Sequence, residues 1–561
     1  MDQASRRPSF IELYQPKLVT VLSEGYGLAA LRADAVAGLT VAIVALPLSM
    51  AIAIASGVPP QVGLFTSIVG GLVVSALGGS RFQIGGPAGA FIVLVSACVT
   101  QIGAAGMMTA CILAGLILIG AGVLRLGTYV KFIPYPVTVG FTAGIAVIIL
   151  ASQLKDAFGL SLSGPEPGAL WPKLAALWAA RGTFSPATVG VGLGTVAIVL
   201  AVRRFRPRWP AFLIAVTLAG AVAALARLPV ETIASRFGAL PHLPPAPHLP
   251  PLDIASLRAA FPFAVSFALL GAIESLLSAV VADGMSGRHH RSNAELVAQG
   301  LANIVSPIFG GMVVTGTIAR TATNVRSGAR GPVAGMIHSA CVLMAMMILA
   351  PLAGHIPLAA LAGVLIVVAW NMIEKEEAWA LLRHEPGDAL VLGATFLLVI
   401  FRDLTTGILV GFLLGSILFI QRMSAVAQIS ADVPLAGLDR PDDPAPYDPP
   451  SAADADIVIH RIRGAFFFGA ASTVGAVLDR IASHPRAFVI DFSEVPFLDS
   501  SGARMIVLLA DKLRRGGGRV FLTGTEGAKQ RTLAALGLRA PDVRYCATIA
   551  EAVAEARRRP A

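Results

Sequence analysis

Long apolar runs separated by short polar connections fill the first three quarters of the chain. Fourteen runs can be distinguished, seven on each side of a longer polar connection at residues 227–260. A helix needs about 20 apolar residues to cross a bilayer, and several runs are shorter, so the pattern predicts a helical membrane bundle with some short segments. The predicted segments are 36–55, 60–79, 88–103, 107–124, 130–150, 185–202, 209–226, 261–282, 293–309, 316–327, 332–352, 357–373, 388–401 and 405–421.

Composition supports the same class of protein. Hydrophobic residues make up 55% of the chain and charged residues 14%, which is typical of a membrane protein rather than of a large soluble core. The net charge of +10 raises the question of nucleic acid, but Lys and Arg concentrate in short connections, so no nucleic-acid partner is expected. The four cysteines lack ligand-like spacing, so we expect neither a metal site, a disulfide framework nor a cofactor.

Basic residues also predict the topology. Three short connections that we place outside, 56–59, 104–106 and 353–356, carry no Lys or Arg. The positive-inside rule and the even number of segments put both termini in the cytoplasm, beginning with a segment over 1–35, and we expect an inner-membrane protein without a cleaved signal peptide. The basic residues of the connections placed inside are Arg125, Lys131, Arg203, Arg204, Arg206, Arg208, Arg288, Arg291, Arg326, Arg330, Lys375 and Arg383.

A weak internal repeat relates the two halves. Each half has a glycine pair before a short segment, followed by an Ile-Pro pair and a glycine-led apolar run. Because each half has seven segments, the halves must be oppositely oriented, and short segments at matching positions of inverted repeats indicate a transporter's substrate site. The landmarks are Gly85-Gly86, Ile133-Pro134 and Gly144 in the first half, and Gly310-Gly311, Ile356-Pro357 and Gly363 in the second.

The stretch from Phe309 to Arg330 is the strongest candidate for that site. Arg320 and a threonine cluster (Thr315, Thr317 and Thr321) lie at predicted membrane depth, where charge is costly and usually functional. Two half-helices meeting head-on would direct their positive N-terminal ends at one point and form a pocket for a small anion. The alternatives are a cytoplasmic loop that only sets topology and glycines that only permit close helix packing.

Glu274 is the second charge inside a predicted segment. Our hypothesis is that it couples anion movement to a proton, or less favourably to a sodium ion, by neutralising charge in the loaded site. The alternative is a static ion pair with Arg320. In the first predicted segment, Pro47 interrupts the helix and would let Leu48 and Ile52 line a pocket, although such a proline is more often a simple kink.

The character of the chain changes after residue 424. Residues 425–453 are rich in Pro and Asp and predict a linker, and residues 454–561 alternate strand-like and helix-like runs, which predicts a small α/β domain. An apolar strand there leads into Asp499, Ser500, Ser501 and Gly502, where a serine would cap a helix or carry a phosphate. We find no Ser/His/acid constellation, phosphate loop or dinucleotide fingerprint in the sequence, so no enzyme is predicted.

Several stretches together resemble a known family. GLTVAIVALPLSMAIAIASGVPPQVGLFTS, SRFQIGGPAGAFIVLV, DGMSGRHHRSNAELVAQGLANI and GGMVVTGTIARTATNVRSGAR resemble the SulP family of anion transporters, which includes prestin and pendrin. VIDFSEVPFLDSSGARMI resembles a STAS domain. The resemblance implies a seven-plus-seven inverted repeat with core and gate domains, a homodimer and an elevator-type mechanism.

The same resemblance implies an anion site between the third and tenth segments. Carried over to this chain, its residues are Ala88, Gly89, Ala90, Thr317, Ile318, Ala319 and Arg320, with Leu48 and Ile52 alongside. Sodium-coupled bicarbonate relatives have aspartate where Glu274 stands, which favours proton coupling here. Ser500 corresponds to the phosphorylated serine of soluble STAS proteins, whereas in transporters the domain more often serves dimerisation, regulation or binding of a cytoplasmic partner.

These observations predict a secondary active transporter of a small anion, with sulfate, bicarbonate and a C4-dicarboxylate as candidates. The chain would lie in the lipid bilayer as a proton symporter. Two alternatives stay open: a nucleobase-type proton symporter of the same fold, and a membrane-tethered STAS signalling or scaffold protein. Nucleobase symporters in the families that we compare lack both a STAS domain and a counterpart of Arg320. A signalling or scaffold protein would leave Glu274 and Arg320 without a role.

Overall fold

The computed structural model describes residues 13–129, 134–164, 166–167, 170–207, 209–426, 428–431, 457–464, 486–515 and 517–558. The chain divides into two compact units, Met1–Phe412 and Leu413–Ala561. Each has its own hydrophobic core. Lys131, Ile133, Arg208 and most of the predicted linker lie outside the described residues.

The first unit is helical. In its first half the helices are α1 Lys17–Ser23, α2 Leu28–Ala55, α3 Pro60–Phe65, α4 Gly71–Leu77, α5 Ile92–Val123, α6 Tyr135–Phe158, α7 Leu170–Ala179, α8 Pro186–Phe205, α9 Ala211–Leu225 and α10 Ile233–Phe237. Then follow α11 Ile254–Ser286, α12 Ser292–Ile308, α13 Ile318–Arg326, α14 Val333–Ala353, α15 Leu358–Met372, α16 Lys375–His384, α17 Pro386–Phe401 and α18 Leu404–Val426, which continues into the second unit. A π-helical turn, Thr66–Gly70, joins α3 to α4.

The predicted membrane segments coincide with helices where the structure describes them, although the segment predicted over 60–79 consists of α3, the π-helical turn and α4. Within the described ranges, nine helical stretches are long and apolar enough to cross a membrane, and α9 and α17 are shorter apolar helices. Two boundaries differ from the prediction. The first membrane helix, α2, begins at Leu28, inside the cytoplasmic segment predicted over 1–35. The third and fourth predicted segments form one helical stretch, Gly89–Val123, that is broken at Gly103. A φ of 73° at Gly103 is accessible to glycine at little cost, which explains the break.

Local sequence explains several helix starts. Proline stands at the first position of α3, α8 and α17, where no hydrogen bond from a backbone N–H is lost. The Asp253 carboxylate accepts a hydrogen bond of 2.9 Å from the Ser256 backbone N–H and so caps α11. The Ser185 hydroxyl accepts from the Thr188 backbone N–H at 3.3 Å and caps α8.

The membrane helices pack in two bundles. The first, which we call the core bundle, contains α2, α4, α5 and α11–α14. The second, the gate bundle, contains α6, α8, α9, α15 and α17. Inside the core bundle, α5 and α12 approach each other closely at Gly115 and Gly300. A Cβ added to either glycine would lie only 2.5 Å from the carbonyl oxygen of the other, so this crossing requires glycine.

The first unit contains two short strands, β1 Gly85–Gly86 and β2 Thr315–Gly316. The second unit contains a five-stranded sheet whose strands neighbour one another in chain order. Its strands are β3 Gln428–Ala431, β4 Ile457–Arg463, β5 Ala487–Glu494, β6 Arg519–Thr523 and β7 Arg544–Cys546, and its helices are α19 Ser500–Arg515, α20 Ala528–Ala535 and α21 Ile549–Arg557. Only β3 pairs antiparallel, with β4, and the other pairs are parallel. This confirms the predicted α/β domain. In the range predicted as a linker, residues 425–426 end α18 and residues 428–431 form β3.

A buried carboxylate stabilises the centre of this sheet. Asp491 on β5 is 1% exposed and accepts hydrogen bonds from the hydroxyls of Ser493 and Thr523 and from Nε of Arg461. Burial alone would raise the pKa of Asp491, but these hydrogen bonds outweigh it and lower the pKa below its usual value. The carboxylate therefore stays charged and joins β4, β5 and β6.

Candidate functional site

Two short strands join the halves of the helical unit. Strand β1, Gly85–Gly86, pairs antiparallel with β2, Thr315–Gly316, so that Gly86 lies opposite Thr315. The Thr317 backbone N–H extends the pair by donating to the Ile84 carbonyl at 3.1 Å. Because the strands run in opposite directions, the helical segments that follow them begin on opposite sides of the pair, with their N-terminal ends toward it.

This arrangement corrects one landmark of the predicted repeat. Gly310 and Gly311 follow α12, and Gly310 has a φ of 75°, as in a turn that ends a helix. The residues that pair with Gly85 and Gly86 are Thr315 and Gly316. The glycine pair therefore marked the end of the preceding helix, and the strand of the second half begins four residues later.

Arg320 is buried beside the strand pair with only 1% of its surface exposed. Its Nη1 donates to the Ser67 hydroxyl at 3.3 Å, and its Nη2 donates to the Ser49 hydroxyl at 3.3 Å and to the Pro87 carbonyl at 3.1 Å. Nε is buried without a hydrogen-bond partner. All three acceptors are neutral, so no contact at hydrogen-bond distance compensates the charge of the guanidinium.

Glu274 interacts electrostatically with Arg320 but forms no close ion pair with it. It lies on α11, and its Oε2 is buried without a hydrogen-bond partner. Across the described part of the chain, no carboxylate oxygen comes within the 4.0 Å ion-pair distance of the Arg320 nitrogens. The alternative of a static ion pair between Glu274 and Arg320 is therefore wrong for this conformation.

The threonine cluster holds the strand pair in place. The Thr315 hydroxyl lies 2.8 Å from the Ser275 hydroxyl, and the Thr317 hydroxyl donates to the Ile84 carbonyl at 3.3 Å. The Thr321 hydroxyl accepts from the Ile84 backbone N–H at 3.1 Å and from the hydroxyl of Ser278, also at 3.1 Å. These side chains are satisfied by protein groups, so they act as scaffold for the site.

The other predicted residues surround the strand pair with different exposures. Gly89 is partly exposed, and a Cβ placed there would contact Met372 of α15 and Ile149 of α6, at 3.6 and 3.8 Å. Gly89, at the start of the helical segment that leads into α5 of the core bundle, therefore faces the gate bundle. Ala88, Ala90, Leu48, Ile52 and Thr317 are buried, whereas Ile318 and Ala319 are exposed.

Comparison with known proteins now identifies the chain. A model described as "Sulfate permease family" matches residues 31–395, and a STAS domain model matches residues 449–556. The chain belongs to the sulfate permease family. The "Putative sulfate transporter YvdB" of Bacillus subtilis is 36% identical over 518 residues, which cover 92% of this chain and 95% of that protein.

Further similar proteins and structures agree with the assignment. The "Bicarbonate transporter BicA" of Picosynechococcus is 28% identical over 91% of this chain and 91% of that protein. The solved transmembrane domain of a cyanobacterial BicA has a TM-score of 0.60 and 30% identity, and covers 69% of this chain and 98% of its own. The murine Slc26a9 structure, with a TM-score of 0.85 and 18% identity over 99% and 96% of the two chains, shows the same fold.

These matches confirm the predicted family, fold class and STAS domain of this sulfate permease family member. It is a multi-pass membrane protein. Sequence reasoning missed Ser49 and Ser67, whose hydroxyls lie 2.9 Å apart beneath the Arg320 guanidinium. Both are small polar residues in apolar runs, and Ser49 directly follows the predicted Leu48, which was the one available signal.

In the STAS domain, the predicted serine cap is wrong. The Asp499 carboxylate accepts a hydrogen bond of 2.7 Å from the Gly502 backbone N–H, so aspartate caps α19. Ser500 is the first residue of the helix and is exposed. Its hydroxyl is therefore accessible, and its role stays a prediction.

Proposed function

We propose that this protein is a secondary active transporter of small anions. The observation that carries the proposal is the buried Arg320 cation, which is held by neutral oxygens and keeps Nε unpartnered. A buried charge is costly unless an opposite charge compensates it. An anion at this point would supply that charge, and the segment starts at Gly89 and Ile318 would add the partial positive charge of helix N-termini.

The proposed anion site contains small residues around the two segment starts. Small side chains let the backbone N–H groups approach a ligand closely, which suits a compact anion. Sulfate and bicarbonate are favoured because relatives carry these names, and a C4-dicarboxylate is the third candidate. The residues assigned to the site are Leu48, Ile52, Ala88, Gly89, Ala90, Thr317, Ile318, Ala319 and Arg320.

Glu274 is proposed as the coupling residue. Oε2 of Glu274 is buried at membrane depth and has no hydrogen-bond partner, so a proton bound there would neutralise the carboxylate. Proton binding would then keep the loaded site near neutrality as it crosses the membrane. We favour a proton over sodium because, by the family resemblance, sodium-coupled bicarbonate relatives have aspartate at the position of Glu274.

The movement is proposed to be of the elevator type. The helices that contribute Arg320, Ser49 and Glu274 all belong to the core bundle, while Ile149 and Met372 of the gate bundle lie opposite Gly89. A core that slides along a fixed gate would expose the site alternately to the two sides. A homodimer, an inner-membrane location and cytoplasmic termini complete the proposal, and rest on the family resemblance and the distribution of charge.

Uptake into proteoliposomes tests the function. The purified protein would be offered labelled sulfate, bicarbonate, a C4-dicarboxylate and uracil, with and without an inward proton gradient. We expect saturable uptake of one of the anions that the gradient accelerates. Uptake of uracil instead would favour the nucleobase symporter, and no uptake of any compound would favour a membrane-tethered signalling protein.

Replacing Gly86 by alanine is expected to reduce anion uptake about tenfold or more. A Cβ at this position would overlap Nη1 of Arg320, so the guanidinium must leave its present hydrogen bonds. Gly120→Ala is the matched control, since a Cβ there has no neighbouring heavy atom within 4 Å. Equal initial rates of uptake in the two variants would contradict the placement of Arg320.

Ser500 is proposed as a phosphorylation site. It is exposed at the start of α19, where the positive end of the helix dipole would stabilise a phosphate. We expect a fraction of the protein purified from its native host to carry one phosphate at Ser500 in peptide mass spectra. Unmodified Ser500 under all growth conditions would count against this role.

A further inference from the structure

One face of α12 carries a row of buried polar side chains that the proposed transport does not yet use. Glu295, Gln299 and Asn303 recur every four residues and are 0%, 0% and 1% exposed. Residues four apart share one face of a helix. This row, which we call the α12 ladder, is directed at the segments that enter the two site strands, as its hydrogen bonds show.

Asn303 binds the backbone immediately before β2. Its Oδ1 accepts from the Val314 N–H at 2.9 Å, and its Nδ2 donates to the Val314 carbonyl at 2.7 Å. Nδ2 also donates to the Gln299 carbonyl at 2.8 Å. Both partners of the nitrogen are carbonyl oxygens, which fixes the orientation of the amide. The carboxamide thus pairs with Val314 as a neighbouring strand would.

The opposite edge of β2 is occupied by β1. Along an extended chain, successive residues direct their backbone groups to alternate sides. Val314 bonds to Asn303 and Gly316 bonds through its N–H to the Ser275 hydroxyl at 3.2 Å, whereas Thr317 bonds to Ile84 on the β1 side. A strand of two residues has few ladder bonds of its own, so these side chains define its position.

The other end of the ladder binds the segment before β1. Oε2 of Glu295 accepts from the Ser80 backbone N–H at 3.1 Å, and Oε1 accepts from Nε2 of Gln299 at 2.9 Å. Because Asn303 in turn bonds the Gln299 carbonyl, a single helix face connects the approaches to both strands. A shift at either end would change how β1 and β2 lie beside each other.

We propose that Asn303 is a positioning residue of the anion site. It holds Val314, and through β2 it sets where the Thr317–Arg320 segment begins relative to Gly86 and Pro87. This inference rests on the proposed transport function, since it assigns Asn303 to the affinity of that site. It makes no contact with the anion itself.

The test is the kinetics of anion uptake by full-length Asn303→Ala in proteoliposomes, using the anion that the wild type transports best. We expect KM to rise about tenfold or more while the maximal rate changes much less, because the site is displaced but the moving bundle is intact. Asn303→Asp is the second variant. It keeps the acceptor for the Val314 N–H and the size of the side chain, but loses both N–H donors, and it should also raise KM.

Asn293→Ala is the matched control on the same helix. Asn293 is also buried and also bonds a backbone group, the Gly127 N–H at 3.0 Å, but this bond is not made to either site strand. Asn293→Ala should therefore keep the wild-type KM, even if both alanine variants unfold at lower temperature. If the Asn303 variants match Asn293→Ala in KM, the inference is overturned while transport stands. If the wild type takes up no anion, the proposed function fails and the inference fails with it.

Discussion

Anion uptake is expected to fall about a hundredfold or more when Arg320 is replaced by leucine. A hydrogen bond to a charged group contributes about 1.5–3 kcal/mol, and about 2.8 kcal/mol corresponds to a hundredfold change. Leucine removes the cation and puts an apolar side chain at a position that is 1% exposed. Arg320→Lys keeps the charge but cannot reach Ser49, Ser67 and the Pro87 carbonyl together, so its activity should be intermediate.

The matched control for this prediction is Arg326→Gln. Arg326 lies in the last turn of the same helix and is exposed, so its replacement removes one positive charge without touching the site. Initial rates in proteoliposomes, normalised to incorporated protein, should separate the two variants clearly. If Arg320→Leu retains the rate and the KM of Arg326→Gln, the arginine does not bind the transported anion.

Glu274→Gln is expected to abolish the dependence of uptake on the proton gradient. Glutamine has nearly the size of a protonated glutamate but can neither take up nor release a proton, so the variant should behave as if permanently loaded. In the wild type, acidifying the side from which the anion enters should increase the rate. In the variant the rate should be the same with and without the gradient, and accumulation against a concentration gradient should disappear.

Uptake against pH and a second carboxylate variant check this prediction. Glu24 is exposed and pairs with Arg81 in the first unit, so Glu24→Gln should keep the full pH dependence. Glu274→Gln with unchanged, pH-dependent accumulation would remove Glu274 from the coupling mechanism. Arg320 would then carry its charge without a proton-linked partner.

The helical segments could be predicted from the sequence because length and apolarity decide which runs enter a bilayer. The prediction was less exact where one residue changes the backbone path. Gly103 turns two predicted segments into one broken stretch, and a run of apolar residues cannot reveal a φ of 73°. Gly310-Gly311 was matched to Gly85-Gly86 as a repeat landmark because the sequence does not show that the second pair lies in a helix-ending turn.

The site could be predicted in outline and not in its contacts. Arg320 was identifiable because a charge at membrane depth is rare and costly. Its partners Ser49 and Ser67 were not, since they lie 271 and 253 residues away in the chain, and Ser67 stands in a π-helical turn with no sequence signature. Asn303 was missed for a related reason: an amide in an apolar helix gives no sign that it bonds the backbone of Val314, 11 residues later and next to β2.

The central claim is that Arg320 and the two segment starts hold the transported anion. Saturable binding of the labelled anion to purified protein in detergent tests it most directly, because binding does not require movement between the two bundles. We predict that the wild type and Arg326→Gln bind with the same Kd and that Arg320→Leu shows no saturable binding. Binding by Arg320→Leu with the wild-type Kd would contradict the claim.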